Sequence, residues 1–171
     1  MIGQTANILL HLGPALNLSP SDQADRLWVN QVQLTVADLV AEAHDTHHPI
    51  DMSAYYEDQK DAAKARSEAF RKQRIPKYLG WFERLLAARG DDAWLLGDRV
   101  TYADLSLFQV VEGLTYAFPR AMARTAKTTP QLMALADRVR VRPNIAAYLA
   151  SPRRIAFNEE GIFRHYPELD G

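Results

Sequence analysis

The chain has 171 residues, 20 basic and 21 acidic side chains, a formal net charge of −1 and 47% hydrophobic residues. That size and balance suit one globular domain with a sizeable core and give no electrostatic reason to expect nucleic acid or an anionic membrane as partner. Cysteine is absent, which excludes disulfides, thiolate metal sites and a cysteine nucleophile; no apolar run approaches the ~20 residues of a membrane span, and Met1-Ile2-Gly3-Gln4-Thr5 lacks the basic-then-apolar order of a signal peptide, so a cytoplasmic protein is expected.

Residues 3–12, GQTANILLHL, read as a short helix with Ala6, Ile8, Leu9, Leu10 and Leu12 apolar and Gly13-Pro14 at its end. Met1 stands almost inside this helix, so the chain is expected to be a piece of something longer; a short helix docked on its own domain is the alternative. After Ser19-Pro20 a long helix begins. Ser21 is the expected cap, with Asp22 in the first turn where the dipole favours negative charge. Leu27, Trp28, Val32, Leu34, Val36, Leu39 and Val40 carry it to about Ala43. His44, His47 and His48 lie at its end, and His44 and His48 would share a helical face, as metal ligands can. Imidazoles at a helix C-terminus meet the dipole favourably without a metal, and none is expected.

His48-Pro49-Ile50-Asp51 breaks the chain. From about Ser53 to Arg89 a second long helical stretch follows. Its first half, Tyr56 to Arg74, is charged and alanine-rich, a solvated helix. Its second half carries Ile75, Tyr78, Leu79, Phe82, Leu85 and Leu86 at an amphipathic period. Pro76 between them is expected to kink or split the helix.

Gly97-Asp98 reads as a turn, and Thr101 as the cap of a helix running through Leu107, Phe108, Val110, Val111 and Leu114 to about Tyr116. Asp104, three residues on, can reach back to the Thr101 N–H, which makes a capping box; Val100 and Leu105 have the spacing of a hydrophobic staple. This helix is apolar round most of its circumference and is expected at the centre, buried. Thr129-Pro130 and Arg142-Pro143 open two further helices, with proline at the first helical position. Ser151-Pro152 ends the second, and Arg153 to Gly171 shows no clear period and reads as a tail on the surface. No segment alternates as a strand does. The expected fold is all-α, a helical bundle around the capping-box helix.

The stretch Gly97-Asp98-Arg99-Val100-Thr101-Tyr102-Ala103-Asp104 resembles the Gly-Asp-x-[hydrophobic]-[Ser/Thr]-x-[Ala]-Asp pattern in the C-terminal helical domain of cytosolic glutathione transferases of the sigma, pi and mu-like classes. Arg142-Pro143 with Ala147-Tyr148-Leu149-Ala150-Ser151-Pro152, Thr129-Pro130-x-Leu132, Pro76 and Val36-Ala37-Asp38-Leu39 are similar to further segments of that domain, in the same order. Gln4-Thr5-x-x-Ile8-x-x-x-Leu12 looks like the helix that ends the family's thioredoxin-like N-terminal domain, though His11 stands where an aromatic is common. The resemblance covers residues 3–152.

The resemblance implies residues 1–13 as the last helix of a thioredoxin-like domain, 14–152 as the helical domain and 153–171 as a tail. It implies glutathione as co-substrate with no other cofactor, a small electrophile as partner, and a homodimer. Relatives hold the γ-glutamyl end of glutathione with the residues matching Gln4 and Thr5, and Asp38 matches an aspartate that reaches the glutathione amine across the dimer; an exposed helical carboxylate is its alternative. His48, Tyr55, Tyr56 and Phe157 are hydrophobic-pocket candidates by location, with plain packing as the alternative. The family's thiol-activating tyrosine, serine or cysteine lies upstream of the position of Gln4, so no catalytic residue is assigned and the chain alone is expected to be inactive. A non-catalytic module of the same fold, used for protein interaction, is the alternative function.

Overall fold

The computed structural model describes residues 1–171 and contains nine α-helices and no strand. They are α1 (Thr5–Ala15), α2 (Gln23–His44), α3 (Lys60–Ala69), α4 (Ile75–Ala87), α5 (Tyr102–Ala117), α6 (Pro119–Thr125), α7 (Pro130–Arg140), α8 (Pro143–Leu149) and α9 (Pro167–Asp170). The expected all-α bundle is therefore the observed one.

α5 is the axis of the bundle, packed against α2, α6 and α7. Ten of its 16 residues are buried, including Leu107, Val110, Val111 and Leu114, each worth roughly 1.5–3 kcal/mol when taken out of water. Against it α2 sets Val29, Val32, Val36 and Leu39, all buried. These recur at the i, i+3, i+7 spacing of one helical face.

The head of α5 carries the capping box that the Thr101–Asp104 spacing suggests. Asp104 Oδ2 accepts from the Thr101 backbone N–H and from Thr101 Oγ1, both at 2.7 Å. Its Oδ1 accepts from the Leu95 N–H at 2.9 Å, so the carboxylate also fastens the preceding turn. That turn closes with a pair of backbone bonds between Trp94 and Gly97, and Gly97 sits at φ 120, where a side chain would be strained. The Tyr102 N–H donates to Leu18 O at 3.0 Å, tying the α1–α2 connection to the same point. Burial is the main influence on Asp104 and holds its pKa above the usual carboxylate range, against the lowering effect of the bonds it accepts.

Four details differ from the sequence expectation. The cap of α2 is Asp22 and not Ser21; its carboxylate accepts from Ala24 N and Asp25 N at 2.9 and 3.1 Å. Pro14 lies inside the last turn of α1, which runs on to Ala15. At Pro76 the second long stretch is divided into α3 and α4 as expected, but without a break in the helical path: the two are joined by a π-helical turn, Phe70–Arg74. Proline lacks an N–H and crowds the carbonyl four residues back, and a wider turn just before it accommodates both faults.

The fourth difference is the tail. Phe163, Leu169 and Asp170 are buried. Asp170 accepts from the backbone N–H groups of Arg120 and Ala121, at 2.8 and 3.2 Å, at the head of α6. Tyr56 donates to Glu168 at 2.9 Å and stacks on Tyr166 with ring centroids 3.9 Å apart. Phe163 lies over Gly113 of α5, where an added Cβ would collide with its ring. The tail thus clamps α3, α5 and α6 together.

Candidate functional site

A cavity of about 1060 Å³ opens between α1, α2, α5 and the first part of the tail. Seventeen of its 26 lining residues are hydrophobic, the composition expected of a site for a small apolar ligand. α1 contributes Leu9 and Leu10, α2 Leu34, Ala37 and Val40, α5 Leu105 and Val110, and the tail Ile155, Phe157 and Phe163. The wall exists because α2 and α5 each carry more apolar residues than their mutual contact covers.

Two polar atoms in this wall have no protein partner: Gln33 Oε1 and Tyr102 Oη. Both residues are almost fully buried, at 2% and 1% exposure. A buried polar group without a partner costs about 1–3 kcal/mol, and both atoms are closed off behind the cavity wall, so the cost falls on the packed helices. Burial raises the Tyr102 pKa, with Arg26 opposing; the phenol stays neutral and able to donate. Neither residue stood out in the sequence. The available signal was one glutamine inside the Val29–Val32–Val36–Leu39 face of α2.

Gln4 and Thr5 line the same cavity. Gln4 holds φ 65, ψ 122 at the head of α1 and makes no side-chain cap. A non-glycine residue at such a φ costs of order 1–3 kcal/mol and concentrates at functional sites. No side chain caps the first turn, so its N–H groups face outward beside the Thr5 hydroxyl, a setting suited to a carboxylate.

Of the other sequence candidates, Phe157 lines the cavity, stacked on Tyr116 at a centroid distance of 5.1 Å. Asp38, His48, Tyr55 and Tyr56 are not in its wall. Asp38 is exposed on α2, one residue beyond the lining Ala37. Tyr55 is exposed, and Tyr56 is spent on packing against the tail; burial and the Glu168 carboxylate beside it raise its pKa. His48 lies at the far end of α2 against Gln59, with Nδ1 3.3 Å from Nε2 of the amide. The capping-box pair Thr101 and Asp104 is structural, fully buried below the cavity-lining Tyr102 and Leu105.

Residues 44–152 match the family described as "Glutathione S-transferase, C-terminal domain". The chain is similar to a glutathione S-transferase of Plasmodium yoelii yoelii, 22% identical over 92% of this chain and 66% of that protein. It is 29% identical to glutathione S-transferase P of Capra hircus over 89% of this chain and 65% of the relative. With glutathione S-transferase 2 of Onchocerca volvulus it shares 30% over 86% of this chain and 64% of that one. The chain therefore spans just under two thirds of the length of these relatives. Among solved structures, the pi-class glutathione S-transferase of Onchocerca volvulus superposes with a TM-score of 0.67 at 26% identity, over 86% of this chain and 64% of that one. Prostaglandin synthase D of Nilaparvata lugens superposes at 0.73 with 18% identity, over 91% of this chain and 70% of that one, a likeness of fold.

Proposed function

The chain belongs to the glutathione S-transferase family, and we propose that it supplies the apolar half of a two-part site in an enzyme that conjugates glutathione to small electrophiles. The observation that carries this reading is one continuous cavity that has the strained, uncapped head of α1 at Gln4-Thr5 and an apolar wall from α2, α5 and the tail. On this reading the γ-glutamyl carboxylate of glutathione rests on the N–H groups at the head of α1, and the electrophile lies against Leu105, Val110 and Phe157.

In the reaction the glutathione thiol, with a pKa near about 8.5, loses its proton to solvent. The thiolate attacks the electrophilic carbon; a carbon–sulfur bond forms and the leaving group departs with its electron pair. This chain's residues bind and orient the electrophile and exclude water from it. The hydroxyl or thiol that steadies the thiolate belongs to a thioredoxin-like domain, of which residues 1–13, the greater part of α1, are the last segment. Residues 14–152 are then the helical domain and 153–171 a closing tail. Ile8, Leu12 and Leu16 leave an apolar stripe exposed along α1, and that stripe suits docking of such a domain. Asp38 then faces the glutathione amine of a second subunit in a homodimer. No helix is long and apolar enough to cross a membrane, in keeping with a cytoplasmic enzyme.

The test is turnover with a chloronitrobenzene-type electrophile. The 171-residue chain alone is expected to give the uncatalysed rate, and the same chain joined behind a thioredoxin-like domain that binds glutathione is expected to give catalysis. Turnover by the chain alone contradicts the reading, as does a joined protein that binds glutathione and remains inactive.

A further inference from the structure

The end of α2 gathers three imidazoles that the conjugation chemistry does not use. His44 is the last residue of α2, and the chain then turns so that His47 and His48 come back beside it. Their ring centroids are 4.8 to 5.2 Å apart. One nitrogen of each ring lies within 4.8 Å of those of the other two. We propose that His44, His47 and His48 form a binding site for a zinc-class divalent transition-metal ion, with its remaining coordination positions taken by water.

His47 carries most of the argument. Its ring is buried at 2% exposure. Nε2 is 2.8 Å from the Ile162 carbonyl and so carries the proton. Nδ1 is thereby left with its lone pair, buried and without a partner. A ligating histidine ordinarily stands in this arrangement, one nitrogen donating to a carbonyl and the other free for the metal.

Geometry and charge allow the ion. Tetrahedral zinc with bonds of about 2.0–2.1 Å needs nitrogens about 3.3 Å apart. His47 is fixed and His48 keeps Nδ1 against the Gln59 amide at 3.3 Å, which leaves its Nε2 for the ion; both His48 and His44 are only half-buried, so small shifts of these two rings can close the gap. The C-terminus of the 22-residue α2 presents its negative dipole end to the site. Arg164 is the opposing charge, near enough to lower the pKa values of His47 and His48, but its guanidinium is held by the carbonyls of Glu160 and Gly161. Asp45 adds a carboxylate at the same corner, paired with Arg66 at 3.6 Å. Imidazole donors favour Zn²⁺, Ni²⁺ and Cu²⁺ over Mg²⁺ or Ca²⁺. Because His47 holds the tail at Ile162, which also lines the cavity, a bound ion would pin that wall.

The experiment is calorimetric titration of Zn²⁺ into the tag-free 171-residue chain, with Co²⁺ absorption as a second readout. The expected result is one equivalent bound with Kd of about 10 µM or tighter. His44→Gln and His48→Gln should each weaken it about 10-fold or more, His11→Gln on α1 should leave it unchanged, and Zn²⁺ but not Mg²⁺ should raise Tm. Both ligand variants alter half-buried rings, and circular dichroism checks that they stay folded. Binding weaker than about 10 µM, or binding that persists in the His44→Gln/His48→Gln double variant, overturns the proposal.

Discussion

At the head of α5 the N–H of Thr101 is answered by Asp104, three residues on; at the head of α6 those of Arg120 and Ala121 are answered by Asp170, 50 and 49 residues away. The head of α7 repeats the second arrangement: Glu83 of α4 accepts from Gln131 N and Leu132 N at 3.1 and 2.9 Å. All three carboxylates satisfy donors that a helix cannot satisfy itself. The difference is one of chain distance. A local cap forms with its helix and costs little entropy, whereas a remote cap forms only once the loop between has closed. Asp104 should therefore be part of what makes α5 a helix, and Asp170 part of what holds a finished bundle shut.

Substitutions can break this contrast. The largest effect is expected from Asp104→Ala, which strands the buried N–H groups of Leu95 and Thr101; a loss of about 3–5 kcal/mol in urea unfolding is expected. A loss below about 1 kcal/mol would remove the latch from the account. Thr101→Ala leaves the Asp104 carboxylate two of its bonds and should cost about 1–2 kcal/mol. Asp170→Ala should cost a similar amount, about 1–2 kcal/mol, but with a different signature: faster proteolysis within residues 153–171 while α5 amides keep their hydrogen-exchange protection. Loss of protection in α5 would erase the distinction between local and remote caps. Glu83→Ala, at a part-buried helix head, should cost about 1 kcal/mol.

The pH dependence sharpens the same point. Glu42 accepts from Arg74 Nε and Nη2 at 2.7 and 2.6 Å and from the Tyr78 hydroxyl at 2.9 Å. The Arg74 hydrogen bond is the main reason that its pKa lies below the usual range. Its contribution is therefore complete above its unfolded pKa of about 4.3 and is lost as pH falls through the lower folded value. Asp104, raised by burial, runs the other way: its contribution is fullest below about 3.9 and diminishes as pH rises through its folded value. Glu42→Gln should be less stable than the parent by about 1 kcal/mol near neutrality, and the two curves should converge below pH of about 4. Parallel curves down to acid would show that the Arg74 pair contributes nothing.

Chain distance also explains what was legible. The Thr101–Asp104 box, the turn at Gly97 and the apolar faces of α2 and α5 are patterns within a few residues, and sequence spacing displays them. The clamp made by Phe163, Leu169 and Asp170 depends on partners on α5 and α6, and the tail has no period of its own to reveal it. The π turn before Pro76 was hidden because proline in a helical run signals a fault and not how the backbone absorbs it. Within the cavity, Gln4 and Thr5 were candidates through family resemblance, and Phe157 by its location in the chain. Gln33 and Tyr102 were not, since a buried polar atom without a partner is a property of the packed structure. Asp38, His48, Tyr55 and Tyr56 do not line the cavity; Asp38 lies on α2, while His48 and Tyr55 lie in the connection that follows it.

The most direct test of the central claim, that this bundle holds the apolar half of a glutathione-conjugate site, is displacement of a fluorescent apolar probe by S-alkyl glutathiones. Displacement from one site should strengthen as the alkyl group lengthens. It should be lost in Ala37→Trp, which fills the cavity from an exposed position on α2 and so should leave the fold intact. Displacement that ignores alkyl length, or that is unchanged by Ala37→Trp in a folded protein, would contradict it.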